Sequence, residues 1–187
     1  LDSGVSAMAQ DAFAGPHTAE KLDALEKYLS AYSNVFKNQS LKTIFFDAFA
    51  GTGEIPSSRS EPTLLLDADD QGFVVGSALR ALGPRTSFGN YIFVEKRRNK
   101  ARELEKLRTR FPNKRITIVN EDANTALRKF CATTDWRECR AVVFLDPFGN
   151  QVEWTTIEAL AATKAIDLWY LFPAGLGVHR QIGNDAT

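Results

Sequence analysis

Short apolar runs alternate with helical patterns through most of this chain, and the first run ends in a glycine-rich turn. Residues 42–46 lead into the turn Asp47-Ala-Phe-Ala-Gly-Thr-Gly53. A continuous apolar run closed by glycines is typical of a strand that is buried on both faces of a parallel sheet. Strands that alternate with helices predict an α/β, Rossmann-like fold with a doubly wound parallel sheet.

The same patterns predict the bounds of the other elements. Four more strands are predicted at residues 91–94, 115–119, 141–145 and 166–172. Helices are predicted at residues 19–36, with Thr18 as the N-cap, and at residues 74–82, 97–111, 123–131 and 154–163. The stretch 54–72 is rich in Pro, Ser, Asp and Glu, which predicts an irregular surface insertion of the kind that often closes over a site.

The length and composition fit one globular domain. The chain has 187 residues, of which 44% are hydrophobic and 25% are charged, and these are ordinary values for a soluble protein. We expect residues 1–16 to form a flexible leader and residues 17–187 to form a single domain. The leader has no basic opening segment, so we do not expect it to be a signal peptide.

Charge, cysteine and histidine usage argue against several functions. The formal net charge is zero, which disfavours a protein that holds nucleic acid mainly by bulk positive charge, although a local basic face stays open. Cys131 and Cys139 lack CxxC spacing, so we expect reduced thiols in a cytoplasmic protein. His17 and His179 have no His or Cys neighbour, so no metal site is expected. No apolar run approaches the ~18 residues of a membrane span.

Acidic residues follow four of the predicted strands. Ligands of an open parallel sheet bind beyond the carboxyl ends of its strands, near the point where the strand order reverses. Buried and unpaired acids would destabilise the fold, so a series of them indicates a site. In chain order the acids are Asp47, Glu95, Asp122 and Asp146, and the last is followed by Pro147 and Phe148.

These residues fit a nucleoside that carries a cationic amino-acid tail. Gly51 and Gly53, in the same turn as Phe49, let the backbone approach a ligand closely. Glu95 is placed to accept the ribose hydroxyls, and Asp122 is placed to accept the adenine amino group. A carboxylate at Asp47 would repel a pyrophosphate but would suit an ammonium or a sulfonium. This difference favours S-adenosylmethionine (SAM) over NAD.

Each residue of this set also has a purely structural explanation. The glycines could serve only a tight strand-to-helix turn, and Glu95 could be a solvated residue that opens a charged helix. Asp122 could be the N-cap of the helix that follows it, which is a common role for Asp. Asp146 and Pro147 could simply close a strand with a turn.

The strand-end series resembles that of class I SAM-dependent methyltransferases. The turn 47–53 looks like their first motif, Glu95 like their ribose acid, and Asp122 like their adenine-side acid. Residues 146–149 stand where amino-methyltransferases carry Asp-Pro-Pro-Tyr. There the Asp and a proline carbonyl accept from the target amine while the aromatic ring stacks on the base, so the resemblance gives Asp146, Pro147 and Phe148 catalytic roles.

More narrowly, the chain resembles the three-Cys-motif partner protein family (TcmP). The similar stretches lie within residues 17–180 and are His17-Thr18 with Lys21, Tyr28-Leu29 and Tyr32, and residues 47–53, 76–82, 146–149, 154–158, 163–169 and 171–173. The resemblance implies a methyltransferase-like fold and a protein partner with a three-cysteine, radical-SAM-like motif, but it supplies no established reaction. A full methyltransferase sheet usually has seven strands and family members usually extend further, so we expect the last two strands to be missing and the domain to be incomplete at its C-terminus.

Two departures limit this resemblance. Glu95 lies about twice as far beyond the glycine turn as the usual ~20 residues, and the insertion at residues 54–72 can account for the difference. The fourth motif has Phe148-Gly149 in place of Pro-Tyr, so its aromatic residue is moved by one position.

Several other residues are assigned structural roles. The basic cluster between Lys96 and Arg115 is interpreted as a solvated helix face with Glu103 and Glu105 as partners, with a track for a nucleic-acid backbone as the alternative. Trp154 and Trp169 are expected in the core rather than as platforms for base stacking. Lys164 and Asp167 are placed to form a structural ion pair.

The sequence therefore favours a SAM-dependent methyltransferase that acts on an amino group of a nucleic acid or nucleoside. A non-catalytic module that keeps the fold and binds another protein is the main alternative. An NAD-dependent oxidoreductase is disfavoured by Asp47 and by the Asp146-Pro147 pair.

Overall fold

The computed structural model describes residues 16–52, 54–56 and 73–172. The strands in chain order are β1 Lys42–Asp47, β2 Glu54–Pro56, β3 Phe73–Val75, β4 Asn90–Val94, β5 Ile116–Val119, β6 Cys139–Leu145 and β7 Ile166–Tyr170. The helices are α1 Pro16–Phe36, α2 Ser77–Leu82, α3 Arg98–Arg110, α4 Ala123–Thr133 and α5 Trp154–Ala162.

Five of the strands form one parallel sheet in the order β5-β4-β1-β6-β7. The order reverses at β1, because β4 and β5 lie on one side of it while β6 and β7 lie on the other. This is the first part of the doubly wound Rossmann order, so the predicted α/β fold class is confirmed. The remaining two strands, β2 and β3, form a separate antiparallel pair.

Successive side chains of the sheet point alternately into two hydrophobic cores, one on each face. Phe45 packs on one face with residues from α1, α2 and α3, and Phe46 packs on the other face with residues from α4 and α5. A strand buried on both faces must be apolar throughout, which is why β1 and β6 read as continuous apolar runs. Helices α1, α2 and α3 lie on one face and helices α4 and α5 on the other, so the loops after β1 and β6 leave the sheet in opposite directions.

The structure corrects three predicted bounds. Helix α1 begins at Pro16, so Thr18 lies inside the helix and is not its N-cap. Residues 73–75 form a strand instead of the start of a helix, because they pair with Glu54–Pro56 inside the predicted irregular insertion. Gly76 is extended, which ends this strand and lets α2 begin at Ser77. Residues 57–72 and most of the predicted leader lie outside the described residues.

The N-terminal helix is attached to the edge strand β7. The Tyr28 hydroxyl donates to Asp167 Oδ2 at 2.5 Å, and the Tyr28 and Trp169 rings lie 5.0 Å apart. Burial and the hydrogen bond to Asp167 raise the pKa of Tyr28. The predicted pairing of Lys164 with Asp167 is therefore wrong, whereas Trp169 packs against the core as expected.

Candidate cofactor site

The candidate site lies at the carboxyl ends of β1 and β6, where the strand order reverses. Two backbone bonds hold the turn after β1 against its neighbours: Ala48 N donates to Phe144 O at 3.1 Å, and Ala50 N donates to Val94 O at 3.0 Å. The loops after β1 and β6 then diverge to opposite faces. A crevice at such a point is where ligands of open α/β sheets bind.

The turn itself leaves open space above its first glycine. Gly51 has a φ of +62°, and a Cβ placed on it would meet no heavy atom of the described residues within 4 Å beyond its chain neighbours. The backbone conformation thus favours glycine, and the described residues leave space beside it for a ligand. Phe49 is half-buried and packs against the second core. Gly53 lies outside the described residues.

Asp47 is fully buried and points into the protein. Its Oδ1 accepts from Phe49 N at 3.0 Å, and its Oδ2 accepts from the Ser77 hydroxyl at 2.5 Å. The carboxyl group therefore links the glycine turn to the first residue of α2. Ser77 was not identified from the sequence, because nothing in its neighbourhood marks it as a partner of a residue 30 positions earlier. A direct contact between Asp47 and a cofactor stays a prediction.

Burial raises the pKa of Asp47 to about 7, although the hydrogen bonds from Ser77 and Phe49 oppose the rise. The charges of Asp146 and Glu95 raise it further, so acids from three neighbouring strand ends lie close enough to interact. Near neutral pH, Asp47 is thus partly protonated. The preference of this site for a positively charged ligand therefore depends on the charges of Glu95 and Asp146 more than on that of Asp47.

The buried Asp47 should make the folded chain less stable as the pH rises. Between pH ~4 and ~7 its folded form binds a proton that the unfolded chain has released, so stability falls across this interval and levels off above it. We expect Asp47→Asn to remove this slope. Relative to the wild type, the variant's free energy of unfolding should rise by roughly 2 to 4 kcal/mol between pH ~4 and ~8 in urea titrations.

Asp135→Asn is the matched control for this prediction. Hydrogen bonds from Arg137 lower the pKa of Asp135 to about 2, so its folded and unfolded forms are both ionised above pH ~5. The difference in the free energy of unfolding between Asp135→Asn and the wild type should therefore stay constant above pH ~5. A constant difference for Asp47→Asn over the whole interval would contradict the assigned state of Asp47.

Glu95 follows β4 and Asp122 follows β5, and hydrogen bonds of neighbouring residues connect the two strand ends. Glu95 Oε1 accepts from Arg97 N at 2.6 Å. The Asn120 side chain donates to Glu95 O at 2.7 Å and to Lys96 O at 3.0 Å, and so connects the two strand ends. Both acids are half-buried. Their contacts to a ribose and an adenine stay predictions.

Asp122 is the N-cap of α4, as its structural explanation predicted. Its Oδ1 accepts from Asn124 N at 3.0 Å, and its Oδ2 accepts from Lys96 Nζ at 3.2 Å. Desolvation raises the pKa of Asp122, but the Lys96 bond and the backbone bonds from Thr125 and Asn124 outweigh it, so the pKa lies below its usual value. Asp122 is therefore ionised at neutral pH.

The loop after β6 carries the predicted acceptor residues. Asp146 is exposed and Pro147 is buried, whereas the Phe148 side chain is 63% exposed. Although Asp146 reaches solvent, the protein around it raises its pKa by desolvation, and the charge of Lys21 opposes this rise. Lys21 was not identified as a site residue from the sequence.

Trp154, predicted as a core residue, is 72% exposed. It opens α5, whose buried residues Thr156 and Leu160 face the other way. This places a second exposed aromatic ring in the chain segment that follows Asp146. The prediction is wrong because the buried face of α5 is set by its contact with α4.

A buried asparagine holds this loop in place. Asn124 donates to Gln151 O at 2.8 Å, and its Oδ1 accepts from Glu153 N at 3.0 Å and from the Thr156 hydroxyl at 2.9 Å. One side chain of α4 thus provides hydrogen-bond partners for polar groups at the end of the loop and at the start of α5. This role could not be predicted from the sequence, because Asn124 is there an ordinary residue in the first turn of a helix.

The described residues contain no group of three or more His, Cys, Asp or Glu that could hold a metal ion. No helix among them is long and apolar enough to span a membrane.

Comparison with known proteins connects the chain to solved structures only. No protein-family model matches it, and no curated protein matches its sequence. It is similar to LPL1258 of Legionella pneumophila, a DUF519 protein, with a TM-score of 0.52 and 14% identity over 78% of this chain and 61% of that one. This chain thus spans less than two thirds of the Legionella protein.

Two further structures are more distant. The proposed methyltransferase yhhF of Escherichia coli has a TM-score of 0.44 and 18% identity over 84% of this chain and 65% of its own. A conserved hypothetical protein of Streptococcus pyogenes has a TM-score of 0.41 and 19% identity, over 74% and 69% respectively. Neither match carries an argument at this TM-score, and none of the three bears on the TcmP resemblance. The likeness to LPL1258 shows the fold alone, in agreement with the strand order of this Rossmann-like α/β domain.

Proposed function

We propose that this chain binds SAM and transfers its methyl group to an amino group of a nucleic acid or nucleoside. The observation that carries the proposal is the glycine turn at the reversal point, with acids from the neighbouring strand ends close to it. Gly51 leaves space for a ligand among the described residues, and Glu95 and Asp146, whose charges act on Asp47 in the same turn, give the turn a negative surround.

This surround fits SAM better than a dinucleotide. SAM carries an ammonium and a sulfonium, both of which favour nearby carboxylates, whereas a pyrophosphate would be repelled by them. Gly51 and Gly53 would admit the amino-acid tail, with Asp47 and Phe49 shaping the turn. Glu95 would accept the ribose hydroxyls and Asp122 the adenine amino group. When bound, SAM supplies an electrophilic methyl group beside this crevice.

The loop after β6 fits an amine acceptor on an aromatic ring. Asp146 and the Pro147 carbonyl would accept hydrogen bonds from the target amine, which keeps its lone pair directed at the methyl group. The exposed rings of Phe148 and Trp154 offer surfaces on which a base can stack. A raised pKa lets Asp146 accept the proton that the amine loses after transfer.

A non-catalytic partner module is the second candidate, and the exposed aromatic surface favours it. Three exposed aromatic rings follow strand ends: Phe148 and Trp154 come after β6, and Phe172 comes after β7. Each is more than 60% exposed. Exposed apolar groups of this size are common at protein interfaces. The TcmP resemblance would then imply a partner with a three-cysteine motif.

Calorimetric titration tests the cofactor assignment. SAM, its demethylated product and NAD are titrated in turn into the purified protein, and thermal shifts are recorded in parallel. We expect SAM and its product to bind and NAD to give no signal. NAD binding in place of SAM, or no response to any of the three, would contradict the proposed function. Binding of SAM without transfer to DNA, RNA or nucleosides would favour the partner module.

A further inference from the structure

The charge of this neutral chain is concentrated on one helix and its flanks. Residues 96–115 contain ten lysines and arginines against two glutamates, a net charge of +8 in a chain whose overall charge is zero. Most of these residues belong to α3, which begins three residues after Glu95, at the carboxyl edge of the sheet. The helix runs back along the sheet beside the edge strand β5, which it contacts.

Four cations recur at every fourth position along the outer side of α3. They are Arg98, Arg102, Lys106 and Arg110, and we call them the basic stripe. The buried residues of α3 are Ala101, Leu104 and Leu107, which lie on the opposite side of the helix. At a rise of ~1.5 Å per residue the stripe extends over about 18 Å.

Part of this positive charge is neutralised by carboxylates among the described residues. Lys106 pairs with Glu103, Arg108 pairs with Glu105 at 2.8 Å, and Lys96 pairs with Asp122 at 3.2 Å. In the part of the chain that the structure describes, Arg98 and Arg102 have no carboxylate partner. The expected neutralisation by Glu103 and Glu105 therefore covers only part of the cluster.

The arrangement works against the stability of α3. Like charges four residues apart destabilise a helix, and the stripe contains three such pairs. Arg97, Arg98 and Lys100 also stand at the positive end of the helix dipole, where an acid would stabilise it. The first turn of α3 has no acid, and Arg97 makes no side-chain cap. Cations at these positions destabilise the helix itself, but they would attract an external anion.

We propose that the basic stripe binds the phosphate backbone of a nucleic-acid strand. Arginine guanidinium groups donate pairs of hydrogen bonds that match phosphate oxygens. A protein partner fits less well, since interfaces between proteins have an apolar centre, and none of the exposed large hydrophobic residues in the described chain lies on α3. The inference rests on the proposed function in one respect. The nucleic-acid strand bound along α3 would be the methyl acceptor, and it would run towards Glu95 at the carboxyl edge of the sheet.

The test is fluorescence anisotropy with a short labelled single-stranded oligonucleotide, in DNA and RNA forms, without SAM. The variant Arg98→Gln with Arg102→Gln is compared with Lys27→Gln with Lys37→Gln, which removes the same charge from exposed positions on and beside α1. Glutamine is a good helix former, so folding should be retained and is checked by circular dichroism. We expect the stripe variant to lose affinity by about tenfold and its salt slope to fall by about 1.4, while the control changes by less than about twofold.

An equal loss in both variants, or no loss in either, overturns the inference. So does equal binding of polyglutamate of matched charge, which would indicate an acidic protein partner. Because binding is measured without SAM, the two proposals fail separately. Oligonucleotide binding through the stripe with no methyl transfer contradicts the proposed function alone. Methylation of a nucleoside, with oligonucleotide affinity unchanged in the stripe variant, contradicts this inference alone.

Discussion

Replacing Asp146 by alanine should lower the rate of methyl transfer by about 10² to 10³ while changing SAM affinity by less than about threefold. The residue stands at the rim beyond β6, where it would hold the acceptor amine and not the cofactor. Removing its carboxylate leaves the amine without the acceptor that directs its lone pair. The measurement is single-turnover transfer of labelled methyl groups to adenine- and cytosine-containing oligonucleotides, with SAM affinity taken from calorimetry.

Asp135→Ala is the control for this variant, because Asp135 precedes the same strand at its other end. It should transfer methyl groups at the wild-type rate. Desolvation also raises the pKa of Asp146, so the acid limb of the wild-type rate should lie above the usual aspartate value of ~3.9. Unchanged transfer by Asp146→Ala would remove Asp146 from the reaction.

Gly51→Ala should weaken SAM binding by at least about tenfold and destabilise the fold by about 1 to 2 kcal/mol. The destabilisation comes from the φ of +62°, which an alanine adopts with strain. The loss of affinity has a separate cause, because the new methyl group would enter the space that the turn leaves open. Calorimetry with SAM and urea unfolding measure the two effects independently.

Gly149→Ala separates backbone strain from loss of the ligand space. Gly149 has a φ of +80° and equally open surroundings, but it follows the acceptor residues on the other side of the crevice. The two variants should lose similar stability, and only Gly51→Ala should lose SAM affinity. If both keep wild-type affinity, the cofactor does not approach the turn after β1.

The position of the site could be predicted from the sequence because it depends on local patterns. Apolar runs such as residues 42–46 are typical of strands buried inside a parallel sheet, and the carboxyl ends of parallel strands meet at one edge. Asp47, Glu95, Asp122 and Asp146 are therefore expected at that edge once the strands are identified. The charges of Asp146 and Glu95 act on Asp47, so three of these four acids lie near one another.

The orientation of individual side chains could not be predicted, because it depends on distant partners. Asp47 turns inwards since Ser77, on the far side of the insertion, donates to it. Trp154 turns outwards since Asn124 and its neighbours set the buried face of α5. Such contacts between separate elements leave no periodic signal in a single sequence.

The ribbon formed by β2 and β3 has a consequence for how relatives of this chain should be recognised. The pairing of Glu54 with Val75 brings the two ends of the insertion together beside the glycine turn. The segment between them can therefore lengthen or shorten without moving α2 or β4. Glu95 reaches the end of β4 regardless of the number of residues inserted before it. A pattern search that fixes the spacing between the glycines and the ribose acid would reject this chain, whereas one that allows a variable gap closed by paired strands would retain it.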